Sequence, residues 1–157
     1  MTTDNLTQTT ATVAVPAGGE DLQEIAQKAY AMMIDVERYP DYMPSVNALE
    51  ILERGDNQYI TRWDAEIDGA PIQWVQRVWW NDAEKEMHFE AIKGDFDAFQ
   101  GRWSASEADG QVNLRLQIGY RLGIPVIEDV LGPILKEKVR ANGEAMLAAI
   151  ARRLLER

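Results

Sequence analysis

The sequence predicts an α+β fold in which a curved, seven-stranded antiparallel sheet wraps around a long C-terminal helix. Three observations predict this fold. Alternating polar and apolar residues, interrupted by tight-turn dipeptides, are typical of consecutive antiparallel strands and extend over residues 48–122. Apolar residues at helical spacing follow Pro125 and continue to Leu154. A shorter helical pattern lies before the strands. Because a sheet has two faces, one long amphipathic helix can cover one of them.

The N-terminal part supplies one strand and two short helices. Residues 1–9 are polar, and we expect a flexible tail there, followed by a single domain over residues 10–157. Residues 10–15 alternate weakly and form the first strand. The apolar spacing over residues 20–35 predicts a helix with acidic residues in its first turn. Residues 35–46 contain two prolines and two tyrosines, which indicate a short second helix or an irregular crossing.

The third and fourth strands form the clearest hairpin. Asp68-Gly69 is a two-residue turn signal, because a type I′ turn needs positive φ at both positions. That turn places Trp63 opposite Trp74. The residues expected on one face of this hairpin are Tyr59, Thr61, Trp63, Ala65, Ile67, Ile72, Trp74, Gln76, Val78 and Trp80. Two interpretations remain open. The face is an ordinary core surface or, since buried indole and phenol groups need polar partners, the wall of a ligand pocket.

The remaining elements follow from turn residues. We expect the second strand at residues 48–53, the fifth at 86–92, the sixth at 96–106 and the seventh at 111–122. Asp109-Gly110 predicts another tight hairpin between the last two strands. Within the final helical pattern, Gly132-Pro133 either kinks the helix or marks its true start.

Composition excludes several classes of function. The net charge of −10 disfavours nucleic acid and anionic membranes, since both require a basic patch. The chain has no Cys and one His, which leaves no credible metal site, and we expect no cofactor. It has neither an apolar run long enough to insert into a membrane nor a secretory signal. A cytoplasmic protein is therefore expected.

Four segments together resemble one superfamily. They are DVERYPDYMPSV, DGAPIQWVQR, GDFDAFQGRW and IPVIEDVLGPILKEKVRANGEAMLAAI. In order and spacing, the chain resembles the START-like, helix-grip (SRPBCC) superfamily over residues 10–155, and within it the polyketide cyclase/aromatase and coenzyme-Q-binding-like branch. The resemblance implies a helix-grip (START/Bet v 1-like) domain with an internal cavity for a small hydrophobic or polyketide-like ligand. It also implies transient contact with a synthase or carrier protein, in a monomer or a homodimer.

The resemblance also marks individual positions. In the polyketide aromatase/cyclases, the fourth strand presents aromatic residues, a serine and a carbonyl-polarising arginine to the cavity. The positions implied here are Tyr39, Ile72, Trp74, Gln76, Val78 and Asn142. Gln76 takes the place of the serine and Val78 that of the arginine. Arg77 cannot replace the arginine, because the hairpin register directs it to the other face. The chain thus departs from the carbonyl-binding pattern of that family.

Candidate acid–base residues depend on the register beyond the loop at residues 81–85. Continuing the hairpin register places Glu86, His88, Glu90 and Ile92 on the same face as Gln76. There, an aromatic wall would raise the pKa of Glu90 by desolvation, and the near-neutral pKa of His88 would suit proton transfer. The alternative is a register shifted by one residue, which would make Glu90 a surface charge.

These observations predict a cofactor-independent cyclase that folds a hydrophobic keto intermediate and promotes its ring closure. Glu90, with His88 or Tyr120, would transfer protons. The predicted substrate-binding residues are Tyr39, Trp63, Trp74, Gln76, Val78, Phe99, Trp103 and Asn142. The alternative is a non-catalytic carrier of a lipid, isoprenoid or quinone, whose pocket would need no acid or base.

Overall fold

The computed structural model describes residues 6–67, 69–122 and 125–155, with the backbone alone for residues 125–130. The strands are β1 (Thr7–Pro16), β2 (Val46–Gly55), β3 (Gln58–Ile67), β4 (Ala70–Asn81), β5 (Glu86–Gly94), β6 (Ala98–Ala108) and β7 (Gln111–Arg121). The helices are α1 (Leu22–Ile34), α2 (Tyr39–Tyr42) and α3 (Pro125–Leu155), with a 3-10 turn at Val36–Arg38 before α2.

The seven strands form one antiparallel sheet in the order β1-β7-β6-β5-β4-β3-β2. Strands β2 to β7 follow one another as a meander, as the sequence predicts, and β1 pairs with β7. Strand β1 begins earlier than predicted, because Thr7 already pairs with Tyr120 and Thr9 with Ile118. Residues 7–9, which the sequence analysis assigns to the tail, are therefore part of β1, and residues 1–5 lie outside the described part of the chain.

Helix α1 begins after an acidic cap residue, Asp21. The Asp21 carboxylate accepts a hydrogen bond from Gln23 N at 3.2 Å, satisfying one of the free amides of the first turn. The helix buries Ile25, Ala29 and Met33 at helical spacing. The chain then turns through the 3-10 segment into α2, so the proline-containing stretch is a separate short helix and not a continuation of α1.

Helix α3 is a single helix that contains Pro133, so Gly132-Pro133 does not mark its start. Its C-terminal half buries Val139, Met146 and Ile150, whereas Leu131 and Ile134 near its beginning are exposed. At Gly143 the helix passes close to β7, where an added Cβ would lie 3.3 Å from Leu116 Cδ2. Among the described helices, none is long and apolar enough to cross a membrane.

The β3–β4 hairpin has the predicted register. Ile67 pairs with Ala70, Trp63 with Trp74 and Tyr59 with Val78. Gly69 has φ +86°, the backbone conformation that the predicted turn requires of it, while Asp68 lies outside the described residues. We call the sheet face that contains Trp63 and Trp74 the inner face, and the opposite face the outer face.

The β4–β5 hairpin differs from the prediction by one residue. Asn81 pairs with Glu86 and Trp79 with His88, so the loop has four residues, 82–85. The Asn81 side chain accepts hydrogen bonds from Ala83 N at 2.9 Å and Glu84 N at 3.3 Å, which closes the loop locally. This shorter loop reverses the orientation of the β5 side chains relative to the prediction.

The predicted inner-face placement of β5 is therefore wrong. Met87, Phe89 and Ala91 point inward, and Glu86, His88 and Glu90 point outward. A register shift between Val75 and Gln76 leaves Ile92 between paired positions, and 57% of its surface is exposed.

Candidate functional site

A small cavity lies between the inner face of the sheet and helix α3. Its walls come from β3–β7, from α3 and from the start of β2. Its volume is about 50 Å³, well below the roughly 300 Å³ at the lower end of ordinary ligand sites. The apolar lining residues Ile67, Ile72 and Phe99 are only partly buried. A ligand larger than the cavity would have to displace side chains of the lining.

Two stacked indoles form the centre of the wall. The Trp63 and Trp74 rings lie 5.2 Å apart at an interplanar angle of 14°. Each indole N–H has an internal acceptor: Trp63 Nε1 donates to Thr61 Oγ1 at 3.0 Å, and Trp74 Nε1 donates to Gln76 Oε1 at 2.7 Å. Thr61 and Gln76, the polar residues on this otherwise apolar face, thus supply the hydrogen-bond acceptors that the two buried indole N–H groups need.

The polar side chains among the described lining residues are all neutral. Gln76 is 3% exposed, the buried Ser45 hydroxyl has no hydrogen-bond partner within the described part of the chain, and Asn142 is half-buried. The Asn142 amide nitrogen lies 4.0 Å from Met146 Sδ, one turn further along α3. None of the described residues that line the cavity has an ionisable side chain. The site can hold an uncharged molecule by aromatic contact and a few hydrogen bonds.

Four other predicted site residues on the inner face fall into two groups. Phe99 and Trp103 line the cavity with Trp63, Trp74, Gln76 and Asn142. Val78 and Tyr120 are buried on the inner face but are not part of the described lining. The Tyr120 ring packs against Phe96 with centroids 6.5 Å apart. A role for Tyr120 in proton transfer stays a prediction.

Tyr39 lies behind the wall. Its ring packs against Trp63 and Trp103 with centroids 5.6 and 5.7 Å apart. Its hydroxyl donates to the main-chain oxygen of Met33 at the end of α1. Burial raises the pKa of Tyr39 well above its ordinary value. The Tyr39 hydroxyl is therefore hydrogen-bonded to the protein's own backbone, and its ring packs against the cavity wall from outside the lining.

His88 and Glu90 lie on the outer face, away from the cavity. The His88 ring stacks on Trp79 with centroids 5.5 Å apart, and its Nε2 lies 3.4 Å from Glu86 Oε1. Glu90 is paired with Arg77 at 3.4 Å, and the side chains of both are about half exposed. Their predicted position beside Gln76 is wrong because the loop before β5 is one residue shorter than assumed.

Sequence reasoning missed Ser45 as a lining residue. It follows Pro44 at the point where the chain leaves α2, and its main-chain oxygen accepts a hydrogen bond from Glu66 N at 2.9 Å. That contact fixes the segment beside the hairpin. A serine between a proline and a strand carries no sequence signal for a pocket. Among the described residues, no group of three or more His, Asp or Glu side chains could hold a metal ion.

A family model matches most of the chain. The model of the family described as "Polyketide cyclase / dehydrase and lipid transport" matches residues 25–147. The matched region runs from α1 to the second half of α3 and therefore includes every strand that lines the cavity. Among curated proteins no match was found.

Solved structures share the fold at low sequence identity. TTHA0849 from Thermus thermophilus is 24% identical, with a TM-score of 0.83 over 96% of this chain and 98% of its own. The Zhui aromatase/cyclase from a Streptomyces species is 21% identical, with a TM-score of 0.82 over 98% and 96%. A START superfamily protein from Mycobacterium smegmatis is 23% identical, with a TM-score of 0.76 over 95% and 97%.

Proposed function

The chain belongs to the polyketide cyclase/dehydrase and lipid transport family, and from that premise we propose that it binds an uncharged, hydrophobic keto compound in its cavity and promotes ring closure. The observation that supports this most is the composition of the wall. It combines stacked indoles with neutral hydrogen-bonding groups, and none of its described residues is charged. Such a wall disfavours ions, whose burial without a partner is costly.

The mechanism we propose is positioning. A flexible keto chain held against Trp63, Trp74 and Trp103 would be folded so that its reacting carbons meet. Holding reacting atoms in place can lower a barrier by up to roughly 7–11 kcal/mol. Since Glu90 and His88 lie outside the cavity, they take no part in this proposal. Proton movement would rely on water or on the ligand's own acidic positions.

A carrier function is the second candidate. It is favoured by the same absence of ionisable groups from the described lining, because binding and release of a lipid or quinone need no acid or base. Both functions require ligand entry and displacement of side chains around the small cavity. They differ in whether the ligand leaves chemically changed.

Native mass spectrometry of protein purified from its producing cells, followed by extraction and incubation of the ligand, separates the two functions. A bound keto compound that gains a ring in the presence of fresh protein supports the cyclase. A stoichiometric lipid or quinone that is released unchanged supports the carrier and contradicts ring closure.

A cavity-filling variant supplies the control. Ala65 is buried in the lining, so Ala65→Leu should fill the free space and abolish ligand retention. Thr12, exposed on the outer face, gives the matched variant Thr12→Leu, which should retain ligand. Equal retention by a folded Ala65→Leu protein would contradict binding in this cavity.

A further inference from the structure

An open hollow lies on the outer face of the sheet, where strands β4 to β7 and β1 run side by side. Its volume is about 520 Å³, which falls within the roughly 300–1,000 Å³ of ordinary small-molecule sites. The cavity on the inner face has only about 50 Å³. The residues that line this outer-face hollow are Gln8, Trp79, His88, Phe89, Glu90, Gln100, Gly101, Arg102, Gln117 and Gly119.

A glycine keeps the floor of the outer-face hollow open. Gly119 of β7 pairs with Gln100 of β6 on one side and with Gln8 of β1 on the other. A Cβ added at Gly119 would lie 2.9 Å from Gln8 Nε2, so a side chain at this position would fill space that the hollow now has. The bare backbone of Gly119 therefore lets the two glutamines border one open space.

Two stacked rings form the side of the hollow that lies furthest from Gln8. Trp79 of β4 pairs with His88 of β5, and their rings stack with centroids 5.5 Å apart at an interplanar angle of 12°. Both residues are only partly buried, so the stack leaves ring surface open to a ligand. The electron-rich face of an aromatic ring attracts groups with a slight positive charge, and ligand C–H groups are of this kind.

The glutamines of the hollow have hydrogen-bonding groups that the protein itself does not use. Gln117 Oε1 accepts a hydrogen bond from Arg102 Nε, which leaves the Gln117 NH2 group to donate. Within the described part of the chain, the side chains of Gln8 and Gln100 have no hydrogen-bond partner. Because a primary amide contains both donors and an acceptor, the hollow offers the two kinds of group side by side.

The charged side chains of the hollow already have partners. Arg102 lies 3.7 Å from Glu86, and Glu90 lies 3.4 Å from Arg77. A phosphate or carboxylate ligand would therefore compete with Glu86 for the Arg102 guanidinium. Among the described lining residues, the other polar side chains are three amides and one imidazole. This balance favours an uncharged ligand.

We propose that the outer-face hollow binds a neutral sugar residue. A pyranose ring has a face of C–H groups, which can lie against the Trp79–His88 stack. Its hydroxyl groups both donate and accept, as the glutamine amides do. A hydrocarbon would leave those amides without partners. The hollow and the cavity lie on opposite faces of the sheet, so this site is a second binding function that does not depend on the proposed keto compound.

Methyl glycosides provide the probes. Methyl α- and β-glycosides of glucose, galactose and mannose are titrated into 15N-labelled protein, beside sorbitol, which has hydroxyl groups but no ring. The NMR signals of Trp79 Nε1–H and of the Gln100 and Gln117 side-chain amides report on the hollow, and that of Trp74 Nε1–H reports on the cavity. At least one glycoside should shift the first three signals and leave the fourth unchanged. Its dissociation constant should be on the order of 1 mM, as expected for a ligand of this size. Sorbitol should shift none of them.

Two glutamine variants test the hydrogen bonds. Gln100→Ala removes an unused amide from the hollow and should raise the dissociation constant of the glycoside by about three- to tenfold, the worth of one neutral hydrogen bond. Gln111→Ala is the matched control, because Gln111 lies at the other end of β7, outside the hollow. This control should leave the dissociation constant unchanged.

Two further variants test the rings and the floor. His88→Ala removes one ring of the stack and should weaken glycoside binding severalfold, with the signals of Gln100 still shifting at saturation. Gly119→Val places a branched side chain on the floor and should abolish binding. If Gly119→Val or Gln100→Ala does not fold, His88→Ala decides the question, because its side chain lies at the partly exposed outer face.

The outcomes separate a sugar site from its alternatives. Equal shifts by sorbitol and the glycosides would mean that the ring is not recognised, which overturns the proposal. Unchanged glycoside affinity in the folded Gln100→Ala and His88→Ala variants overturns it too. Tighter binding of glucose 6-phosphate than of the methyl glucosides would make the hollow an anion site instead. If no glycoside shifts the hollow signals of the folded wild-type protein, there is no sugar site, and the proposed function of the cavity is unaffected.

Discussion

The hairpins β3–β4 and β4–β5 share one strand but are closed by loops of different lengths, two residues in the first and four in the second. In the first, Trp63 and Trp74 point inward, whereas Trp79 and the charged residues of the two strands point outward. In the second, the same division holds only because the loop has four residues, which turns Phe89 inward and His88 and Glu90 outward. The length of the loop before β5 thus determines whether its acidic residues or its apolar residues face the cavity.

The comparison shows that β4, β5 and β6 place charged side chains on the outer face of the sheet. On the outer face, Glu90 pairs with Arg77, and Glu86 lies 3.7 Å from Arg102. On the inner face, the same strands contribute Phe89 and Trp103 to the cavity wall. Charges solvated on one side and neutral amides buried on the other are consistent with a site for an uncharged molecule.

The largest expected effect belongs to Gly101→Ala, a substitution on β6 that tests the packing beside Phe89 of β5. Gly101 pairs with Phe89 on the inner face, and an added Cβ would lie 1.9 Å from the main-chain oxygen of Gln117 and 2.8 Å from Phe89 Cζ. Because the closest atom belongs to the backbone, relief requires the sheet to deform. We expect a loss of more than about 4 kcal/mol in the free energy of unfolding, or no folded protein. A variant that melts at the wild-type temperature would contradict this packing.

Adjacent residues on β5 provide the next test. Phe89 is 3% exposed, and Phe89→Ala should lower the free energy of unfolding by about 3–5 kcal/mol. His88 stacks on Trp79 at the partly exposed outer face. His88→Ala should therefore change the free energy of unfolding by about 0.5 kcal/mol or less. Urea denaturation of both variants measures the two values. Reversed magnitudes would restore the register in which His88 faces the cavity.

Much of the fold could be predicted from local patterns. Turn dipeptides determine where strands end, and Asp109 and Gly110 both have positive φ, as a type I′ turn requires. The error at β5 came from the length of the loop, although the alternation of Met87, Phe89 and Ala91 with charged residues already favoured the observed face. Where a loop count and an alternation disagree, burial of apolar residues determines the register.

The detail of the site could not be predicted in this way. The spacing of Trp74 and Gln76 indicates a shared face, but the orientation of the amide depends on a side-chain hydrogen bond along that strand. Ser45 enters the lining only because the chain crosses beside β3 after α2. The family resemblance implied that Tyr39 binds the ligand, yet the path of α2 brings its hydroxyl to the Met33 carbonyl. These outcomes depend on packing between distant segments.

Tyr39→Phe tests the hydrogen bond that holds the Tyr39 ring against the β3–β4 hairpin. The variant removes the donor to the Met33 carbonyl and leaves that oxygen buried, which should lower the free energy of unfolding by about 1–3 kcal/mol.

Tyr39→Phe should also change how the free energy of unfolding depends on pH. Since burial raises the pKa of folded Tyr39, the unfolded chain ionises first, and wild-type stability should fall as the pH rises above about 10. Urea denaturation from pH 8 to 11 should show a shallower decline for Tyr39→Phe. Parallel declines would mean that Tyr39 does not contribute to this pH dependence.

The smallest expected effect belongs to Glu90→Gln, which removes the charge that the outer face holds against Arg77. Exposed ion pairs contribute about 0–1 kcal/mol, so the free energy of unfolding should change little. Ligand retention and any ring closure should match wild type, because the side chain lies on the opposite side of the sheet from the cavity. Both are measured by native mass spectrometry beside Ala65→Leu as the variant that loses ligand. A folded Glu90→Gln protein that loses turnover by 100-fold or so, as removal of a general acid or base does, would place an ionisable group in the chemistry after all. That result would also remove the distinction drawn between the two faces of β5.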